Sequence, residues 1–311
     1  MSLLAVDLGG TKLAVAIFNE DGRILSRGEA MVDGKGGQEV GKLVCDNIQQ
    51  LLRAEHAIDA VGISVPGISN QKNGTVWAPN IPNWDAYPLL EEVKNITGNR
   101  PVAIESDRSC YILGEMWQGN AKECTNAIFI AVGTGIGAGI VADGRVLHGA
   151  GDIAGAIGWM ALQQPFKEEY ISCGCFEINA SGSGIAKTAK QLIMEDERYA
   201  GSLTGNFTAH QVFDAYERND PVAVKVIRNA IQHWGMAIAN LISIFNPEKI
   251  LLGGGVFGPA VKFIPDITTE AMKWAQPISA RQVSVEASSL GASAGLYGAG
   301  YLALQLNEKN K

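Results

Sequence analysis

The sequence has no uninterrupted apolar run of the roughly 20 residues that a bilayer-spanning helix needs, which excludes a helical membrane anchor within it. It also lacks any cluster of Lys and Arg: 25 basic residues face 32 acidic ones, leaving a formal charge of -7. A nucleic-acid surface is thereby excluded, because neutralising phosphates needs concentrated positive charge. No basic leader or cleavage site precedes the strand pattern that begins at Leu3, so the protein is expected to stay in the cytoplasm. Cysteines are few and odd in number, five in all, and Cys45, Cys110 and Cys124 lie singly in segments that read as helix or core, which argues against a disulfide framework. Charge is sparse too, at 18% against 47% hydrophobic residues, a balance that excludes a disordered tail and fits a packed enzyme with a small-molecule substrate.

What is present is a plan used twice. At 311 residues the chain suits two compact domains, with the gap between them the default ligand site. Leu3 to Asp7 reads as a strand, Gly9-Gly10-Thr11-Lys12 as a glycine turn, Leu13 to Phe18 as a second strand, and Asp21-Gly22-Arg23-Ile24 as the turn into a third. The same order recurs as Ala127 to Val132, Gly133-Thr134-Gly135-Ile136-Gly137, Ala138 to Val141, then Asp143-Gly144-Arg145-Val146. Two matched hairpins with the same turns indicate an internal duplication.

Helical spacing predicts a helix over roughly Glu39 to His56, with Val40, Leu43, Val44, Ile48, Leu51 and Leu52 on one face. A buried strand, Ala60 to Val65, follows it, and the breakers Pro79 to Trp84 and Tyr87-Pro88 predict a long irregular excursion before a helix over Leu89 to Thr97. Further on, Phe207 to Arg218 and Pro221 to Phe245 read as helices, Lys249 to Leu252 as a buried strand, and Ala292 to Leu306 as a closely packed helix. Alternation of this kind predicts α/β sheets covered by helices.

The chemistry-bearing residues sit where strands end. Asp7 precedes Gly9-Gly10-Thr11, whose backbone N–H groups and hydroxyl can face a phosphate unobstructed, with Lys12 able to add positive charge. A carboxylate beside a phosphate is repelled unless a divalent cation bridges them, so Asp7 is read as oriented toward hydrated Mg²⁺. Gly133-Thr134-Gly135 offers a second phosphate-facing turn, and Gly253-Gly254-Gly255, after Ile250 to Leu252, a bare backbone for a ribose or base. A plain hairpin or a tight strand-to-helix turn would explain any one of them alone.

Taken in order, Asp7-Leu8-Gly9-Gly10-Thr11-Lys12, Gly133-Thr134-Gly135 and Leu252-Gly253-Gly254-Gly255 resemble the ROK family of sugar kinases and sugar-responsive repressors. Val65-Pro66-Gly67, the Ala78 to Trp84 loop and Gly174-Cys175-Phe176-Glu177 extend the resemblance over almost the whole chain. It implies the two-domain, actin-like ATPase (ribonuclease H-like) fold, α/β with duplicated hairpin units and an interdomain cleft. Residues 1–106, joined by the C-terminal helix 292–311, would form the small domain and 107–291 the large one.

It further implies ATP and Mg²⁺ as cofactors, a sugar as substrate, and a homodimer. In Ile104-Glu105-Ser106-Asp107-Arg108, Asp107 matches the carboxylate that takes the proton from the sugar hydroxyl; the plainer role for an Asp here is a helix N-cap. Gly67, Asn80, Ser106, Trp159 and Glu177 fall at sugar-contacting positions. The repressors of the family carry a winged helix ahead of the first turn, and so few residues precede Asp7 that a DNA-binding domain is not expected.

The chain departs from the family pattern at three of these positions. Ser106 replaces an Asn, and Gly155-Ala156-Ile157-Gly158-Trp159 has neither the Glu nor the His of related sequences. Only Cys173 and Cys175 remain of a one-His, three-Cys zinc site, and two thiolates do not close a tetrahedral set, so no structural zinc is expected. Of the tryptophans, Trp84 and Trp159 lie in motif loops, whereas Trp77 and Trp117 suit core packing. The expectation is a glucokinase-like phosphotransferase; the departures leave open a kinase for a modified sugar or polyol, or a sugar sensor that has lost turnover.

Overall fold

In a computed structural model, residues 1–54 and 57–308 are described. His56, the expected last residue of the first helix, and residues 309–311 of the expected C-terminal helix lie outside them. The strands and helices in chain order are β1 (Ser2–Leu8), β2 (Lys12–Asn19), β3 (Ile24–Met31), α1 (Gly37–Ala54), β4 (Ile58–Val65), β5 (Ile68–Ser69), β6 (Val76–Trp77), α2 (Leu89–Thr97), β7 (Val102–Ser106) and α3 (Asp107–Gln118). There follow β8 (Ala127–Val132), β9 (Ile136–Ala142), β10 (Arg145–Val146), α4 (Tyr170–Cys173), α5 (Cys175–Ala180), α6 (Gly182–Glu195), α7 (Ala209–Glu217) and α8 (Pro221–Phe245). The chain ends with β11 (Lys249–Gly253), α9 (Ile264–Trp274), α10 (Pro277–Ala280), β12 (Ser284–Ala287) and α11 (Ala294–Glu308).

Two units result, one of Met1–Glu123, Val146–Ala154 and Ser289–Lys311, the other of Cys124–Arg145 and Gly155–Ser288. Each holds a five-stranded sheet, in the order β3-β2-β1-β4-β7 in the first and β10-β9-β8-β11-β12 in the second. The duplicated plan is visible in the pairing. β1 pairs antiparallel with β2 and parallel with β4, which is parallel to β7; β8 pairs antiparallel with β9 and parallel with β11, which is parallel to β12. The C-terminal ends of the parallel strands therefore lie side by side in each sheet, the edge where α/β proteins place ligands.

Side-chain alternation along β1 sorts the first unit into two layers. Leu4, Val6 and Leu8 join Val40, Val44 and Ile48 of α1 on one face. Leu3 and Ala5 join Trp117, Leu296 and Ala299 of α3 and α11 on the other. The division expected after residue 106 is displaced: α3 belongs with the first unit, because it packs on α11 through glycines. A Cβ at Gly114 would lie 2.9 Å from the Gly298 nitrogen, and one at Gly298 would collide with the Cys110 carbonyl. Only bare backbones permit so close an approach. The short segment 146–154 likewise leaves the second unit's sequence to join the first.

In the second unit the long α8 starts and stops where its sequence dictates. The Asp220 carboxylate accepts hydrogen bonds from the backbone N–H groups of Val222 and Ala223 (both 3.1 Å), Pro221 occupies the first turn, and Asn246 closes the helix in the left-handed conformation. Its apolar residues, among them Val226, Ala230, Trp234 and Ile238, pack in one core with Ile128, Ile130, Ile250 and Leu252 of the sheet.

Candidate functional site

In the first unit, the ends of β1, β4 and β7 bring together the turn 9–12, Gly67 and the Ser106–Asp107 pair. Gly9 N–H donates to the Lys12 carbonyl (2.8 Å) to close the turn, leaving Gly10 and Thr11 exposed. A Cβ on Gly10 would lie 3.5 Å from the Cβ of Asn80, so the expected sugar-contacting asparagine stands beside this turn. Lys12, expected to lend charge there, instead pairs with Glu29 at 2.6 Å.

Asp107 opens α3, and the N-cap position is taken by Ser106, which makes no side-chain capping bond. Asp107 is therefore not the cap that its residue type allowed. Its Oδ1 accepts from the Arg108 N–H (2.8 Å) and its Oδ2 from the Tyr111 hydroxyl (3.3 Å). Desolvation raises its pKa above the usual carboxylate value, against the opposing pull of the Arg108 charge and these hydrogen bonds. Ser106 Oγ donates to the Gly67 carbonyl (2.9 Å), and the Arg108 guanidinium reaches the same carbonyl at 3.4 Å. Gly67 holds φ +92°, a conformation that favours glycine, and a Cβ there would strike the Trp77 carbonyl.

Asp7 points to the α11 face of the sheet. Desolvation pushes its pKa up to about 6, the buried Ser64 hydroxyl lowers it, and the negative charge of Asp107 raises it further. No salt bridge links Asp7 to a basic side chain among the described residues, and Ser64 Oγ is buried without a hydrogen-bond partner of regular geometry. A single desolvated carboxylate beside the Ser64 hydroxyl and facing the charge of Asp107 suits a hard divalent cation held through an intervening water.

One element here went unforeseen. Glu105, 5% exposed, accepts from the Ser106 N–H through Oε1 (2.8 Å), and its Oε2 lies 2.6 Å from His148 Nε2. That hydrogen bond raises the His148 pKa, opposed by burial and assisted by the charges of Glu105 and Asp152. Position in the chain gave no hint of it, since 43 residues separate the pair. Tyr111, four residues after Asp107, could have been found from helical spacing.

In the second unit, β8 and β11 end side by side, so the turns 133–135 and 253–255 are neighbours. Gly133 N–H donates to the Gly135 carbonyl (2.9 Å), and the Gly133 carbonyl accepts from Gly182 at the start of α6 (2.8 Å). Thr134 is exposed between them. Gly254 holds φ +90°, and a Cβ on it would lie 2.5 Å from the Val132 carbonyl; beside it, Gly253 lies against the Phe129 ring and Gly255 faces open space.

Glu177 is half-buried behind the first of these turns. Its Oε2 accepts from the Ile136 N–H (2.7 Å), and burial raises its pKa. A Cβ on Gly135 would lie 2.6 Å from that oxygen and one on Gly158 3.0 Å. Trp159, next to Gly158, is 56% exposed, whereas Trp84 is 1% exposed, stacks on Tyr87 with ring centroids 4.5 Å apart and donates from Nε1 to the Gly37 carbonyl. Trp84 is thus core and Trp159 is not. Cys173 and Cys175 are free thiols, and no group of three or more His, Cys, Asp or Glu able to hold a metal occurs among the described residues.

The family model described as the ROK family matches residues 3–306. The chain belongs to the ROK family. Among ROK proteins it is similar to a glucokinase of Halalkalibacterium halodurans, 32% identical over 97% of this chain and 94% of that one. A glucokinase of Thermotoga maritima is 30% identical, over 96% of each chain. The crystal structure of a ROK family glucokinase from Streptomyces griseus in complex with glucose and AMPPNP matches with a TM-score of 0.77 and 28% identity, covering 98% of this chain and 100% of that one. The two five-stranded mixed sheets are those of ROK proteins and other actin-like ATPases. Relatives also include a xylose repressor of Caldicellulosiruptor bescii, 30% identical over 81% of this chain and 65% of its own length. No helix among the described residues is long and apolar enough to cross a membrane.

Proposed function

We propose that the chain is an ATP-dependent sugar kinase, glucokinase-like, in which Asp107 accepts the proton of the attacking sugar hydroxyl. The observation that carries this reading is the setting of Asp107: a desolvated carboxylate at the C-terminal end of β7, with raised pKa, beside the Gly67 carbonyl and Ser106 hydroxyl. Phosphoryl transfer asks a protein mainly for positioning and charge neutralisation, plus one such proton acceptor. The Gly9–Thr11 turn, the turn 133–135 and the run 253–255 supply backbone for phosphates and ribose; Asn80, Ser106 and Glu177 supply polar contacts to the sugar. A divalent cation at Asp7, as Mg²⁺, would supply neutralisation of phosphate charge.

The acceptor is a hexose or a related polyol. The alternative of a modified sugar or polyol is motivated by Ser106, by the exposed Trp159 and by Ala156, which offers no polar contact. A polar site left without its partner loses discrimination by orders of magnitude. A substrate panel read through ADP release distinguishes these acceptors. In the same assay Asp107→Asn is expected to lower turnover by about 10²- to 10⁴-fold while nucleotide affinity stays near wild type. Near-normal turnover would remove Asp107 from the role of base, and nucleotide binding without phosphorylation of any sugar would mark a sensor.

A further inference from the structure

We infer that His148, through Glu105, is a positioning residue for Asp107, an inference that rests on the reading of Asp107 as the base. His148 lies in the segment 146–154, which departs from the second unit's sequence only to dock on the first. That segment is a closed loop: the Ala154 N–H donates to the His148 carbonyl (3.0 Å), and Gly149 and Asp152 hold φ of +74° and +58°. It is pinned to the first unit at two points. His148 Nε2 meets Glu105 Oε2 at 2.6 Å, and Asp152 Oδ2 accepts from the Gln71 N–H at 3.2 Å.

The pins lead to adjacent residues of β7, the first to Glu105 and the second, through Gln71, to Ile104. The Gln71 side-chain amide donates to the Ile104 carbonyl (3.3 Å), which also accepts from Ser69 Oγ (3.0 Å). Glu105 spends its second oxygen on the Ser106 N–H. The Glu105–Ser106 peptide, one before Asp107, is thus oriented by a carboxylate that is itself oriented by an imidazole. A buried carboxylate is costly unless both oxygens are engaged. A strand end needing only stability would be served by an apolar residue. Glu105 instead lets a loop 43 residues away set the angle at which Ser106 and Asp107 leave the sheet, and a misplacement of about 1 Å at a reacting group can cost 10²-fold in rate.

The experiment compares His148→Ala, His148→Gln, Glu105→Gln and the His148→Ala/Glu105→Gln double variant in the full chain, each with its melting temperature. Expected for His148→Ala is a fall in kcat on the order of 10- to 100-fold, with KM for ATP within about twofold because the phosphate turns are untouched. His148→Gln, which keeps a donor at similar reach, should recover most of the loss. The double variant should be no worse than the poorer single one, since both act through one link. Wild-type kcat in His148→Ala overturns the inference, as does a fall in stability with kcat unchanged. Should His148→Ala not fold, Glu105→Gln at wild-type kcat overturns it equally. Asp107→Asn, run alongside, separates the two ideas: inactive Asp107→Asn with normal His148→Ala sinks only this one, and active Asp107→Asn sinks both.

Discussion

Gly295 of α11 presents its bare Cα to the carboxylate of Asp7. A Cβ built on Gly295 would lie 2.6 Å from Oδ2 and 2.7 Å from Oδ1. Real Cβ atoms do not approach so near, and Asp is too short to swing aside without leaving its place. Gly295→Ala is therefore expected to displace the carboxylate, lowering kcat with Mg-ATP by roughly 10-fold or more and stability by about 1 to 3 kcal/mol. Steady-state kinetics and denaturant unfolding check it; wild-type values in both would show that the helix yields instead.

The raised pKa of Asp7 makes a second expectation, with a definite sign. Its carboxyl sits at about 6 in the folded chain against an ordinary value of 3.8. The folded state binds that proton more tightly, so this group's stabilisation is complete below 3.8 and disappears as pH rises through 6, a loss of about 3 kcal/mol. Asp7→Asn should therefore melt higher than wild type at pH 7.5, and the gap should close toward pH 4. Magnesium should raise the melting temperature of the wild type and not of Asp7→Asn. A pH-independent gap would refute the assignment.

Gly135 makes a third. Because its missing Cβ admits Glu177 Oε2, Gly135→Ala should push the carboxylate off the Ile136 N–H and distort the adjoining turn. Weaker nucleotide and sugar binding together, by about 1 to 3 kcal/mol in total, is expected from calorimetry. Unchanged affinity for both would separate Glu177 from the ligands.

Much of this was legible in the sequence, for reasons that particular residues show. The duplicated hairpins declared themselves because a glycine turn between apolar runs fixes a register that repeats, and the observed strand orders match element for element. α2 and α8 begin and end where Pro88, Asp220, Pro221, Gly98 and Asn246 punctuate them. α3 was assigned to the other unit, because its partner α11 lies almost the length of the chain away and the contact is made by Gly114 and Gly298, residues whose function is to have no side chain. The link from His148 to Glu105 was hidden for a similar reason: a lone His in a loop carries no periodicity. Lys12, expected to lend charge to the turn, pairs with Glu29, because a lysine after a glycine turn has a stem long enough to reach the facing strand.

That pairing has its own consequence. With its ammonium on Glu29, Lys12 forms an exposed ion pair, and what the first turn itself presents is the backbone of Gly10 and Thr11. Oriented amides discriminate by shape and number of oxygens more than by valence, and they do not weaken with ionic strength as a flexible ammonium does. On the proposed kinase reading, a loop of this make would meet a polyphosphate chain through its backbone contour, with the phosphate charge left to a divalent cation such as one held at Asp7.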